Sequence, residues 1–447
     1  MKRAISILVI IGMLLAILGG CGNVDDFTPQ GTTEDPAPDE TAYEPPAEAE
    51  PRPSEIIING VTYSTDLTEL RLSVHDITDI DQLRFMTNLT FLSISGPVND
   101  ISPLAGLINL ERLELSFNQI SDIDPLAGLI NLDALWLSGT QIRDITPLAG
   151  LINLTHLSLS NTQVSDLSPL ANLYHLDFLQ MEYNRFNDIS PLASLTNLTR
   201  LSLVRSEISD ISPLATLINL TWLELPFSQV SDLSPLADLT NLTYLGLMQT
   251  QISDLSPLER LTNLTQLNLS NNQISDISSL TGLINLEGLL LGDNQISDIS
   301  SLAGLTNLTE LSFSDNQISD IAPLAGLTNL TRLGLTNNQI SDLSPLANLY
   351  SLESLSLSNN QISNLNPLSE LINLTHLTLE RSQISDIGSL AGLASLTFLN
   401  LQSAQISDIS PLVNLYNLES LFLGGNPLTD EQVEELRAAL PNTFINF

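Results

Sequence analysis

An aspartate recurs every twenty-second residue along most of this 447-residue chain: Asp122, Asp144, Asp166, Asp188, Asp210, Asp232, Asp254, Asp276, Asp298, Asp320, Asp342, Asp386 and Asp408. The row is broken once, at Asn364, and reaches back to Asp100 and, one residue short, to Asp79. If successive repeats stack at strand spacing, these carboxylates stand about 4.8 Å apart and repel one another. Two chemistries would relieve that: a row of bound cations, or backbone N–H groups of each local turn donating to the carboxylate. Calcium needs six to eight oxygens, whereas one repeat offers a single carboxylate with hydroxyls nearby, so structural capping without metal is expected.

The four histidines give little else to work with. His75, His156, His175 and His376 are scattered, and His156 and His376 occupy one repeat position ten units apart, on the order of 48 Å at strand spacing. The chain has no phosphate-cradling glycine loop, nucleophile elbow or paired-histidine motif. No enzymatic activity, catalytic residue or cofactor is expected.

The elements behind this spacing emerge from one unit, Leu110 to Asn131. It opens Leu-x-x-Leu-x-Leu-x-x-Asn, the pattern of a leucine-rich repeat. Leu113 and Leu115 alternate with Arg112, Glu114 and Ser116, which sets a short strand with leucines inward. Ile120, Ile123, Leu126 and Leu129 close the coil from the other side. Seven inward aliphatics form a continuous core only when neighbours stack, so one unit alone would not fold. Ser-Pro pairs such as Ser102-Pro103, Ser168-Pro169, Ser212-Pro213 and Ser234-Pro235 place a capping hydroxyl before a first-turn proline, which predicts a 3₁₀ or single-turn helix on the convex side. The fold class is a leucine-rich repeat solenoid, an α/β-type curved array with a parallel sheet on its concave face. Seventeen strands would make that sheet about 75 Å long.

Asparagines at Asn118, Asn184, Asn272, Asn294, Asn316, Asn338 and Asn360 read as a ladder serving backbone groups where each strand ends. Thr140, Thr162, Ser206, Ser228 and Thr250 replace them in nearly consecutive units. The same units carry unusual outward side chains: Phe117, Trp136, His156, Phe178, Tyr183, Trp222, Phe227, Tyr244 and Met248, with Glu182, Arg200, Arg205 and Glu224 as polar neighbours. Units from Leu264 to Ser351 instead present residues such as Gln266, Asn268, Gly288, Ser312 and Gly334. Solvent-facing aromatics do not build a core, and gathered together they suit a partner-binding patch. The competing explanation is that they pack on one another across strands.

A formal charge of −37 excludes a nucleic-acid partner, which needs a basic footprint, and disfavours docking on anionic lipid by charge. The single cysteine leaves no intramolecular disulfide. Residues 1–20 read as a signal peptide, with Lys2 and Arg3, an apolar run from Ala4 to Leu18, then Leu18-Gly19-Gly20-Cys21. That tetrapeptide resembles the lipobox of bacterial lipoproteins, which implies cleavage before Cys21 and lipid attachment to its sulfur. Residues 21–54, rich in Pro, Glu and Asp, read as a disordered stalk. An N-terminal cap at 55–66 follows, with an Asn59-Gly60 hairpin turn. Repeats occupy 67–417, and 418–447 hold the final repeat and a C-terminal cap, where Thr429 to Gln432 reads as a capping box.

The repeat units resemble the internalin-type leucine-rich repeats of bacterial surface proteins. That resemblance implies a protein ligand on the concave face. It departs from the family pattern at two points: neither an immunoglobulin-like domain nor a Leu-Pro-x-Thr-Gly sorting motif is seen in these residues, and the lipobox stands where an anchor is needed. The expected protein is a lipid-anchored, extracytoplasmic binding protein of the cell surface with a monomeric ectodomain. Glycan binding by the aromatic patch is one alternative, and a rigid spacer or self-associating surface protein another.

Overall fold

The computed structural model describes residues 52–73 and 78–447. The signal segment, Cys21, the stalk as far as Pro51, and His75 lie outside the described residues. Among the described residues no helix is long and apolar enough to cross a membrane.

Strand β1 (Glu55–Ile58) pairs antiparallel with β2 (Val61–Ser64) through the Asn59-Gly60 turn, where both residues take positive φ (48° and 77°). Beyond it the chain winds into coils, each contributing one strand to a parallel sheet that starts at β3 (Glu69–Ser73). Pairing advances in chain order and in steps of 22, as in Arg112 on Ala134 and Trp222 on Tyr244. The one short step, Phe91 on Arg112, places the missing residue between the strand Phe91–Ser95 and Asp100, and the sheet register is undisturbed. Eighteen strands line up, one more than the repeats predict, because Phe444–Asn446 adds itself parallel to Ser420–Phe422 after the last repeat. β3 pairs only with the strand after it and Phe444–Asn446 only with the strand before it, so the sheet is an open ribbon.

Each inward position is filled as the pattern requires. In the unit from Leu110, all seven aliphatics named above are at most 1% exposed. Opposite the sheet run 3₁₀ segments such as Ser102–Leu104 and Ser168–Asn172, each with proline in its first turn. The capping expectation needs a correction here. The serine hydroxyl is not the cap of these segments; the carboxylate two residues earlier is, with Asp100 Oδ1 accepting Ser102 N–H at 2.8 Å and Asp210 doing the same for Ser212. In several coils the serine hydroxyl donates back to the same aspartate, as Ser234 does to Asp232 Oδ2 at 3.0 Å. A helix, α1 (Asp430–Ala439), covers the last repeat, with Thr429 and Gln432 forming a reciprocal capping box.

Candidate binding face

Three rows of side chains cross the open face of the sheet, because strand register brings equivalent residues side by side. The first row is aromatic: His156, Phe178, Arg200, Trp222 and Tyr244 occupy paired positions on five consecutive strands. His156 stacks on Phe178 at 5.8 Å between centroids, and Trp222 on Tyr244 at 3.6 Å. Arg200 sits between the pairs, its Cζ 5.8 Å from the Phe178 ring and 5.1 Å from that of Trp222. All five are at least partly solvent-exposed, while Leu179, Leu201 and Leu223 behind them are fully buried.

The middle row is a hydrogen-bonded chain. Ser158 Oγ lies 2.6 Å from Ser138 Oγ and donates to Gln180 Oε1 at 3.2 Å. Gln180 Nε2 donates to Glu182 at 2.8 Å, and Ser202 Oγ lies between Glu182 (2.9 Å) and Glu224 (3.1 Å), within reach to donate its one hydrogen to either. Glu224 also accepts the Tyr244 hydroxyl at 3.1 Å. Burial and the neighbouring Glu224 carboxylate push the Tyr244 phenol up to about 12, so it remains a donor at any physiological pH.

The third row follows the strands at a position where the backbone turns left-handed: Phe117, Gly139, Asn161, Tyr183, Arg205 and Phe227 all have φ between 53° and 71°. Arg205 lies between two rings, 5.3 Å from Tyr183 and 4.8 Å from Phe227. Phe117, 77% exposed, lies over Gly139, where a Cβ would meet its ring at 2.6 Å. Further along, the same position is held by Asn271, Asp293, Asp315, Asn337 and Asn359, residue types that tolerate this conformation, and also by Gln249, Arg381 and Ser403.

The structure therefore joins most of the sequence-derived set, in two stacks and one polar chain. Phe117, Trp136 and Met248 lie on the same face outside these stacks. Trp136 and Met248 are half-buried. Several features were missed. A second aromatic run, His376, Phe398, Phe422 and Phe444, stands at the C-terminal end with centroids 5.5 to 6.1 Å apart, the first pair stacked, the next tilted and the last edge-on, and Arg71 lies over Phe91 near the other end. The aromatic set is thus less confined than the residue list suggested. Leu290 also faces outward in the stretch read as polar. The serines of the middle row were readable from strand alternation, since Ser158 and Ser202 share one outward position with Glu224, and Ser138 shares the next with Glu182.

The two ladders are scaffold. Asn338 Nδ2 donates to Phe313 O at 2.9 Å and Leu335 O at 3.2 Å, while its Oδ1 accepts Ile318 N–H at 3.0 Å, tying neighbouring coils together. A second asparagine series, unread in the sequence, does the same on another edge, as in Asn131 Nδ2 to Ile108 O at 2.8 Å. Every aspartate of the 22-residue row accepts an N–H in its own turn, and Asn364 does so in its place. These bonds hold the carboxyls of Asp188, Asp210 and Asp232 below their ordinary 3.8. Among the described residues no group of three or more His, Cys, Asp or Glu side chains is placed to hold a metal ion.

Phe178 and Trp222 have neighbours of their own row on both sides and Tyr244 has one on one side, which leaves few free ring faces toward solvent. Sugar recognition by stacking needs free faces, so this row is poorly built for it.

The model for leucine-rich repeats in two copies matches the chain over most of the span between residues 108 and 438. An internalin of Listeria monocytogenes, InlF, is 39% identical, with 66% of this chain and 88% of that chain covered and a TM-score of 0.65. A leucine-rich repeat protein of Leptospira interrogans is 25% identical over 83% of this chain and 99% of its own, with a TM-score of 0.77. The Arabidopsis receptor kinase HAESA, solved with a peptide hormone and a co-receptor, shares the fold at 20% identity, 84% and 73% coverage and a TM-score of 0.68. No curated protein matches the sequence.

Proposed function

The chain belongs to the internalin-type leucine-rich repeat proteins, and from that premise we propose that it is a lipid-anchored binding protein on the outer side of a bacterial membrane, recognising a protein partner through its concave face. One observation carries the reading. Phe117, Tyr183, Arg205 and Phe227 occupy left-handed backbone positions that most other coils give to Asn, Asp or Gly, the exceptions being Gln249, Arg381 and Ser403. For a side chain with a Cβ that conformation costs roughly 1–2 kcal/mol, and strain of this kind is retained where something other than stability is selected. These side chains face solvent, with Phe117 77% and Tyr183 50% exposed, so the fold gains little from them. A contact with a partner supplies the reason.

The anchor follows from Cys21 and its lipobox, and two or three acyl chains there would hold the protein without further contacts. Two measurements test the reading. Chemical crosslinking on intact cells, followed by capture of the protein, should recover a specific partner that Tyr183→Ala and Trp222→Ala lose. Labelling with a clickable palmitate analogue should mark the wild type and not Cys21→Ser. Capture unchanged by both aromatic substitutions would sink the binding face, and an unlabelled wild type would sink the anchor.

A further inference from the structure

Building on that binding face, we propose that its partner contacts it with an extended acidic segment whose carboxylates pair with Arg200 and Arg205. The chain has 51 Asp and Glu against 14 Lys and Arg, so a guanidinium has many carboxylates to choose from. Six of the twelve arginines from Arg52 onward make an ion pair: Arg52, Arg84, Arg260, Arg332, Arg381 and Arg437. Arg200 and Arg205, both exposed, make none among the described residues, although acidic side chains share their face. Glu182 and Glu224 are instead engaged by Ser202, Gln180 and Tyr244. The two arginines are left as donors without an acceptor.

Their surroundings direct those donors outward. Each guanidinium is flanked by rings from the two adjacent coils, Arg200 by Phe178 and Trp222, Arg205 by Tyr183 and Phe227. With a ring on either side, each guanidinium keeps its N–H donors, the groups that bind a carboxylate in a two-point fork. Stacking also fixes long side chains before the partner arrives, which lowers the entropy lost on binding. Arg205 itself helps line a shallow depression of about 460 Å³, together with Tyr183, Arg185, Glu207 and Phe227 among others, with room for a side chain.

Spacing specifies the segment further. Arg200 begins its strand and Arg205 sits at the following turn, at most about 16 Å along the chain at about 3.3 Å per residue. An extended chain matches that with acidic residues four or five positions apart. The protein's net charge of −37 opposes such a partner at long range. Physiological salt confines that repulsion to about 8 Å, inside which the two guanidiniums are the nearest charges.

The test uses full-length protein in detergent and three Gly-Ser peptides carrying a residue pair four positions apart: two glutamates, two glutamines or two lysines. Binding is followed by tryptophan fluorescence, since Trp222 touches Arg200. The diglutamate peptide should bind, with Arg200→Gln and Arg205→Gln each weakening it about tenfold and thermal unfolding unchanged. The glutamine and lysine peptides should bind at least about tenfold more weakly than the diglutamate. Diglutamate binding that is absent, or untouched by both substitutions, overturns the proposal, as does a lysine peptide that binds as well. Crosslinked capture lost in Tyr183→Ala but intact in both arginine variants would keep the binding face and refute its acidic partner.

Discussion

The indole of Trp222 lies flat on the ring of Tyr244, centroids 3.6 Å apart and planes 4° from parallel, and Arg200 covers its other side. Strand register makes this contact: the two residues are paired neighbours in a parallel sheet, so side chains in one column meet face to face at strand spacing. Part of the aromatic surface is therefore cross-strand packing. The remainder, ring edges and guanidinium N–H groups, is what a partner would meet.

Trp222→Ala separates those shares. A stacked aromatic pair contributes about 0.5–1.5 kcal/mol, which in a chain of this size lowers the unfolding temperature by only a degree or two. An interface anchor costs about 2 kcal/mol or more, some thirtyfold in affinity. Calorimetry and a binding titration on the same preparation should show a small stability loss beside a large affinity loss. The reverse ratio would make the stack structural.

Phe117→Asn should move stability in the other direction. Phe117 holds φ at 62° and leaves most of its surface in water, whereas asparagine tolerates that backbone. Losing the contact over Gly139 offsets part of the relief, so a gain of about 0.5–1 kcal/mol in urea unfolding is expected, with weaker partner capture. A loss of stability would show that the ring is needed where it lies.

The fold was legible in the sequence because each repeat restates the same inward positions, so chance resemblance at one unit is corrected by the next. Leu113 and Ile120 could be placed from one coil. The outward positions carry no such redundancy, and reading them depended on residue type: Trp222 was found, while Ser202, which lies between Glu182 and Glu224, was not. The serine cap failed for a physical reason, since an aspartate two residues upstream reaches the same N–H with a stronger, charged acceptor. The eighteenth strand was hidden because Phe444–Asn446 lacks the repeat pattern and joins the sheet only by following α1 back to its edge.

The aspartate row predicts how the solenoid responds to acid. Bonds from Ser190, Ser212 and Ser234 hold the carboxyls of Asp188, Asp210 and Asp232 low, and at Asp210 they outweigh the repulsion of both neighbours. Folded values below the ordinary 3.8 mean that the ionised forms favour the fold. That contribution is present at neutral pH and is lost as the pH falls past 3.8 through the lowered values. Asn364 shows that an amide accepts the same N–H, at 3.0 Å, without charge. The triple variant Asp188→Asn, Asp210→Asn, Asp232→Asn should thus unfold near the wild-type temperature at pH 7 and lose less stability below about pH 4. Equal acid sensitivity would place the titrating groups elsewhere.

Ser228 is, with Ser382, an unsatisfied rung of the asparagine ladder. Its hydroxyl is buried without a hydrogen-bond partner, whereas Asn184 and Asn272, two coils to either side, each tie two strand ends together. Ser228→Asn would place an amide where Leu203 O, Leu225 O and Ile208 N–H should occupy the equivalent of those partners' positions. Replacing an unsatisfied buried group by a bonded one should raise stability by about 1–2 kcal/mol, seen as a higher urea midpoint at unchanged slope. Partner capture should not change, because the side chain points behind Phe227 and away from the open face. A lower midpoint would mean that this coil has closed around the smaller residue, and that the run of Thr and Ser in place of Asn is a local repacking and not a set of missing bonds.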